Sequence, residues 1–348
     1  MSEITLGSPL SPLMNPALEP LMLVFAGEDD LPVPTHALFL GAEPHEALKA
    51  WPEVTGWQPF KPLADAWDAA GFKRVDTPEG KWPVVLVLPG KAKDETLALF
   101  AMAYDLLEDG GTLVAAMPNT AGASRFEKEL AKAAGHIATL SKNKCRAFHA
   151  VKDGRWNLAT VEEWRALGAV RTIPDTTFLV QAGVFSSEHV DPGSRFLTTH
   201  LPRGMRGHVA DLGAGWGYLA RWIDDHCPAV TRIDLHEADA RALDLARRNL
   251  ADTDIEVDFL WNDVAAGLHH VYDAIVMNPP FHSGQLTDVG LGKAFIHSAA
   301  RALKRGGKLY LVANRQLPYE AELDAAGFAW RKAGEDPTFK VLIAEKRA

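Results

Sequence analysis

Gly207-His-Val-Ala-Asp-Leu-Gly-Ala-Gly-Trp-Gly217 is a strand-like run that ends in an acid, followed by three glycines at every second position. Glycines at 213, 215 and 217 let the backbone turn sharply and approach a ligand without a Cβ in the way. Tyr218 to His226 then reads as a helix whose N-terminus aims at the same turn. Strand, glycine turn and helix together open an α/β sheet.

Working outward, the same alternation continues downstream. Val230–His236 reads as a strand and Ala238–Leu250 as a helix rich in Ala, Leu and Arg. Ile255–Leu260 and Tyr272–Met277 read as further strands. Val289–Leu303 reads as a helix stopped by Gly306-Gly307, and Lys308–Ala313 as a strand. Such alternation implies a parallel, doubly wound sheet. Phe328–Lys332 and Thr338–Glu345, separated by a turn at Gly334–Pro337, read instead as a hairpin, so the last strand should be antiparallel.

The N-terminal half echoes this order. Leu107-Glu-Asp-Gly-Gly-Thr-Leu-Val-Ala-Ala-Met-Pro-Asn119 matches Leu303-Lys-Arg-Gly-Gly-Lys-Leu-Tyr-Leu-Val-Ala-Asn314 in pattern, each read as a helix end, a Gly-Gly cap and a strand. Val84–Gly90 echoes Ala274–Pro280, and Asn143–Lys152 echoes Pro337–Lys346. Repetition in one order points to an internal duplication. The first copy has Leu88 where the second has Asn278, and it has no Asp-x-Gly-x-Gly. It is therefore expected to keep the fold without the reaction. The expected domains are 1–160 and 165–348, joined across the polar stretch Asp153–Thr172.

Composition sets the outer limits. A chain of 348 residues has room for about two domains. Hydrophobic residues make up 47% and charged residues 23%, as in ordinary globular proteins. Two cysteines, Cys145 and Cys227, exclude a disulfide framework and a Cys-rich metal centre; no metal is called for. A reducing, cytoplasmic setting fits. The start Met1–Gly7 has no basic region ahead of an apolar run, and no apolar stretch approaches the roughly 20 residues of a membrane helix. The net charge of -9 weighs against a nucleic-acid partner, although local clusters at Lys142, Lys144, Arg146, Lys152 and Arg155 and at Arg301–Lys308 are basic.

Three acids end successive strands, on the edge where open α/β sheets bind ligands. Asp211 can orient the glycine loop and face a positively charged amino-acid group. Glu237 can accept both hydroxyls of a ribose; its plain alternative is a charge at a helix N-terminus. Asp263 can accept an adenine amine; its plain alternative is a turn cap. Tyr218 breaks the dinucleotide pattern Gly-x-Gly-x-x-Gly.

Asn278-Pro-Pro-Phe281 leaves the fourth strand. Prolines stiffen this exit, so the Asn278 side-chain oxygen and the Pro279 carbonyl can converge on both N–H groups of an exocyclic amine. That arrangement turns the nitrogen lone pair towards a methyl donor by positioning, with stabilisation of developing positive charge. Phe281 can stack on a planar group. His282 reads more simply as a packed or solvated histidine. Ala182–Ser186 and Asp191–Ser194 form a segment that reads equally as a lid. The two motifs together read as an S-adenosylmethionine-dependent N-methyltransferase.

These residues resemble the bacterial ribosomal RNA small-subunit methyltransferase C family of guanine-N2-methyltransferases. The resemblance is carried by Gly183-Val-Phe-Ser186, Asp191-Pro-Gly-Ser194, Asp211–Gly217, Asn278-Pro-Pro-Phe-His282, Val312–Tyr319 and Thr338-Phe-Lys-Val341. It covers the C-terminal half tightly and the N-terminal half loosely, through Lys93-Asp-Glu95 and Glu108-Asp-Gly-Gly111; residues before Lys81 match little. It implies two tandem Rossmann-like class I methyltransferase domains, a degenerate substrate-binding one followed by a catalytic one. It implies S-adenosylmethionine held by Asp211, Gly213, Gly215, Glu237, Asp263 and Asn278. Catalysis would rest on Asn278, Pro279 and Phe281, and substrate contact on Pro280, Phe281, His282 and Phe185. The substrate would be a guanine of 16S ribosomal RNA, met by a monomer within a subunit or assembly intermediate, with no membrane partner. The alternatives are 23S ribosomal RNA, a protein glutamine amide, and a non-catalytic RNA-binding assembly factor.

Overall fold

The computed structural model describes residues 15–26, 31–280 and 289–347. It divides into two compact units. One is built from the chain up to Gln58 with Leu63–Gly168, the other from Pro59–Pro62 with Ala169 onward.

The first unit holds β1 (Ala37–Leu40), β2 (Val54–Trp57), β3 (Lys73–Val75), β4 (Trp82–Val87), β5 (Leu107–Pro118), β6 (Ala138–Lys142) and β7 (Cys145–Val151). The second opens with a two-stranded pair, β8 (Arg171–Thr172) and β9 (Leu179–Val180). Its main sheet is β10 (Arg206–Leu212), β11 (Ala229–Glu237), β12 (Glu256–Trp261), β13 (Tyr272–Met277), β14 (Leu303–Asn314), β15 (Phe328–Glu335) and β16 (Phe339–Lys346). The strand orders are β3-β2-β1-β4-β5-β7-β6 and β12-β11-β10-β13-β14-β16-β15. They are the same topology twice, and in each only the strand last in the chain, β7 or β16, runs antiparallel to its two neighbours.

The duplication reaches single hydrogen bonds. Gly213 and Ala214 donate their N–H groups to the His236 carbonyl at 2.8 and 3.1 Å. Gly41 and Ala42 donate in the same way to the Trp57 carbonyl at 2.9 and 3.1 Å. The copy that looked unreadable before Lys81 thus contains β1 to β3 and its own version of the glycine turn. Phe39 stands where Asp211 does, Gln58 where Glu237 does.

The glycine pairs act differently from the expected helix caps. The helix Val289–Ala302 ends before Leu303, and β14 runs straight through Gly306 and Gly307. Gly306 has φ +73°, and a Cβ on Gly307 would lie 2.8 Å from the Lys304 carbonyl oxygen. Gly110 has φ +82°, and a Cβ on Gly111 would lie 3.0 Å from the Pro83 carbonyl oxygen. Each pair forms a kink at a register shift within the strand, where only glycine fits.

The helix Leu158–Leu167 occupies the stretch read as a polar join. Asn157 caps it by accepting the Thr160 N–H at 3.2 Å, and Val161 and Trp164 sink into the core of the first unit. This helix belongs to the first compact unit, which ends at Gly168.

Both faces of the second sheet are covered. Val209, Ile233, Leu235 and Val276 pack against Leu219, Ala220 and Ile223 of the helix Tyr218–His226. Ala210, Leu212, Ile275 and Met277 pack on the other side against Phe295, Ile296 and Ala299. Burying each large aliphatic side chain contributes about 1.5–3 kcal/mol. The ends of β10 and β13 flank the point where the sheet order reverses. Among the described residues no helix is long and apolar enough to cross a membrane.

Candidate functional site

The site grows from the end of β10. Gly213, Gly215 and Gly217 all have positive φ, at +72°, +55° and +92°, so any other residue would strain the loop. Gly217 also lets two helices meet, because a Cβ there would lie 3.3 Å from that of Ala246. Glu237, at the end of β11, clasps the loop: its Oε2 accepts the Gly215 N–H at 2.7 Å and its Oε1 accepts the Asp239 N–H at 2.8 Å. Burial raises its pKa against the pull of those two bonds.

Asp211 lies beneath the loop, fully buried, and neither carboxylate oxygen has a hydrogen-bond partner. Burial pushes its pKa up to about 8; the nearby Glu237 charge adds to this, and the Ala220 N–H opposes it without closing a hydrogen bond. A buried orphan carboxyl is costly. Here it sits beneath the glycine loop and does not itself line the opening.

Asp263 takes the turn-capping role, its Oδ1 accepting the Ala265 N–H at 2.9 Å at the start of the short turn Val264–Ala266.

Asn278 leaves the end of β13. Its Nδ2 donates to Asp191 Oδ2 at 2.7 Å and to Ser194 Oγ at 2.8 Å, while its Oδ1 is buried without a partner. Pro279 is buried and Pro280 exposed. Phe281 and His282 lie outside the described residues. Phe185 is 59% exposed, and its carbonyl accepts the Trp216 indole N–H at 3.0 Å. Phe185, Asp191, Ser194, Gly213, Gly215 and Asn278 line one opening. Glu237 borders it through Gly215; Asp263 does not line it.

Asp191 and Ser194 are the partners that sequence reading did not assign. Asp-Pro-Gly-Ser is legible as a helix start, with the acid as cap and proline in the first turn. Its meeting with Asn278, more than 80 residues later, carries no local signal. The Ala182–Ser186 and Asp191–Ser194 segment is thus part of the site wall.

The basic cluster of the first unit is less available than its composition suggests. Lys152 donates to the Tyr104 and Leu107 carbonyls at 3.0 and 2.8 Å, and Arg146 pairs with Glu127. Lys142 and Lys144 remain exposed on the β6–β7 turn. In the other cluster Lys304 pairs with Asp273 at 2.8 Å, and Arg305 and Lys308 are exposed.

Comparison with known proteins agrees with this geometry. Residues 175–343 match the model of the methyltransferase small domain. The ribosomal RNA small subunit methyltransferase C of Psychromonas ingrahamii is 31% identical over 271 residues, covering 76% of both chains. That of Klebsiella pneumoniae is 31% identical over 257 residues, covering 74% of this chain and 72% of its own. The solved T. thermophilus 16S rRNA N2 G1207 methyltransferase, in complex with AdoMet and guanosine, superposes with a TM-score of 0.80 at 26% identity, over 96% of this chain and 93% of that one. With both sheets, the glycine loop and the Asn-Pro-Pro exit in place, the chain belongs to the ribosomal RNA small subunit methyltransferase C family.

Proposed function

We propose that the second unit transfers a methyl group from S-adenosylmethionine to the exocyclic N2 of a guanine in 16S ribosomal RNA. The observation that carries this reading is the Asn278 Oδ1, buried and unpartnered in the wall of an opening shared with the glycine loop.

The residues present fit the donor. Asp211 offers a buried carboxyl with no partner of its own, suited to a cationic group. The positive-φ glycines leave a cradle that side chains would fill, and Glu237 keeps lone pairs for ribose hydroxyls. S-adenosylmethionine, when bound, supplies an electrophilic methyl group.

Asn278 Oδ1 accepts one N–H of the target amine, and the Pro279 carbonyl is assigned the other. Holding both hydrogens in place frees the nitrogen lone pair from conjugation with the ring and aims it. As positive charge grows on the nitrogen, the same two acceptors stabilise it. No base of matched pKa is required, because the methylated amine is a strong acid until it loses its proton. Phe185, exposed at the opening, and Pro280, exposed two residues beyond Asn278, suit the face of a planar ring. The roles of Phe281 and His282 rest on the motif alone.

The first unit, with Leu88, Phe39 and Gln58 at the corresponding positions, is assigned to RNA binding without catalysis. The protein acts as a monomer on a subunit or an assembly intermediate.

Radiolabelled methyl transfer to 30S subunits, 50S subunits, free 16S RNA and a glutamine-bearing release factor tests the reading. Label in N2-methylguanine of 16S RNA supports it. Label in 23S RNA or on protein replaces it with one of the two enzymatic alternatives.

A further inference from the structure

We infer that Asp191 and Ser194 are positioning residues for this transfer, fixing which end of the Asn278 amide faces the target amine. The inference rests on the proposed role of Asn278.

An asparagine amide has two orientations of almost identical shape. Only one serves here, because a flipped Asn278 would present N–H groups to N–H groups. Both of its Nδ2 hydrogens are engaged, by Asp191 Oδ2 at 2.7 Å and Ser194 Oγ at 2.8 Å. Ser194 cannot decide the orientation alone, since a hydroxyl both donates and accepts. The Asp191 carboxylate only accepts. Turning the amide over would set Asn278 Oδ1 against a negative charge.

Asp191 is itself held in place. The Ser194 N–H donates to its Oδ2 at 2.7 Å, closing the cap of the helix Pro192–Thr198. A Cβ on Gly193 would lie 3.0 Å from that oxygen and 3.1 Å from the Phe339 ring, so a side chain there would crowd the Asp191 carboxylate. The bond from Asn278 is charge-assisted. It draws positive character onto Nδ2 and leaves Oδ1 richer in electrons, towards an amine that becomes cationic as it reacts.

The test separates this role from helix capping. Asparagine caps helices about as well as aspartate, so Asp191→Asn keeps the cap and removes the charge. Expected results are a fall in kcat of about 10–100-fold, the loss implied by one charge-assisted hydrogen bond. KM for the RNA, cofactor affinity and Tm stay near wild type. Ser194→Ala should lose less, and Ser194→Thr should recover most of it. Wild-type kcat in Asp191→Asn beside an inactive Asn278→Ala overturns this inference alone. Wild-type turnover in Asn278→Ala overturns the site reading and this inference with it.

Discussion

Replacing Asp211 with asparagine should change how the stability of the unliganded protein depends on pH. The carboxyl is fully buried and its pKa rises from 3.8 to about 8. An acid with a raised folded pKa keeps a proton that the unfolded chain gives up. Folding therefore takes up a proton between these two values, and stability falls as pH rises through that window. Each pH unit costs about 1.36 kcal/mol, so the group removes up to about 4 kcal/mol between pH 5 and pH 8. Asparagine has the same outline and does not titrate. Chemical unfolding of both proteins at pH 5, 6, 7 and 8 reads the effect, together with the smaller response of the neighbouring Glu237. The variant should gain on wild type by about 2–4 kcal/mol across the range. The same carboxyl should lose its proton when a cationic cofactor binds below pH 8. Calorimetric binding enthalpies should then vary with the buffer for wild type and not for the variant. Parallel stability curves for the two proteins would refute the reasoning.

Asn278→Ala should abolish turnover and leave S-adenosylmethionine affinity almost unchanged; calorimetry alongside a methyl-transfer assay checks both. Glu237→Ala should weaken cofactor binding by about 1.5–3 kcal/mol, since it removes a charged acceptor that also clasps Gly215; equal dissociation constants would take Glu237 out of the site. Gly306→Ala forces a side chain to φ +73° and should cost about 1–2 kcal/mol of stability, read as a lower denaturation midpoint. Reversing the charge of Lys142 and Lys144 should weaken RNA binding and flatten its salt dependence, with cofactor affinity intact. An unaltered slope would move the RNA-binding face to Arg305 and Lys308.

The second sheet was legible because its strands are long and its punctuation is local. Asp211–Gly217 declares a turn by its glycines, and Tyr218–His226 forms the helix expected of it. The first three strands were not legible. β1 and β2 have four residues and β3 has three, too few for a period to emerge, and their turn keeps Gly41 without the flanking acid and second glycine. The Gly-Gly pairs misled for a physical reason. Glycine ends helices and kinks strands through the same positive φ, and only the neighbouring strand's carbonyls tell the two apart. The capping of Asp263 was readable as an alternative from its own neighbours. The bond from Asn278 to Asp191 was not, because it depends on the sheet bringing two distant loops together.

Nucleoside mass spectrometry of ribosomal RNA from a strain lacking this protein tests the central claim most directly. The account predicts that one N2-methylguanine disappears from 16S RNA, returns with the wild-type protein and stays absent with Asn278→Ala. A full complement of methylguanine in the deletion strain, or recovery with the Asn278→Ala protein, would contradict it.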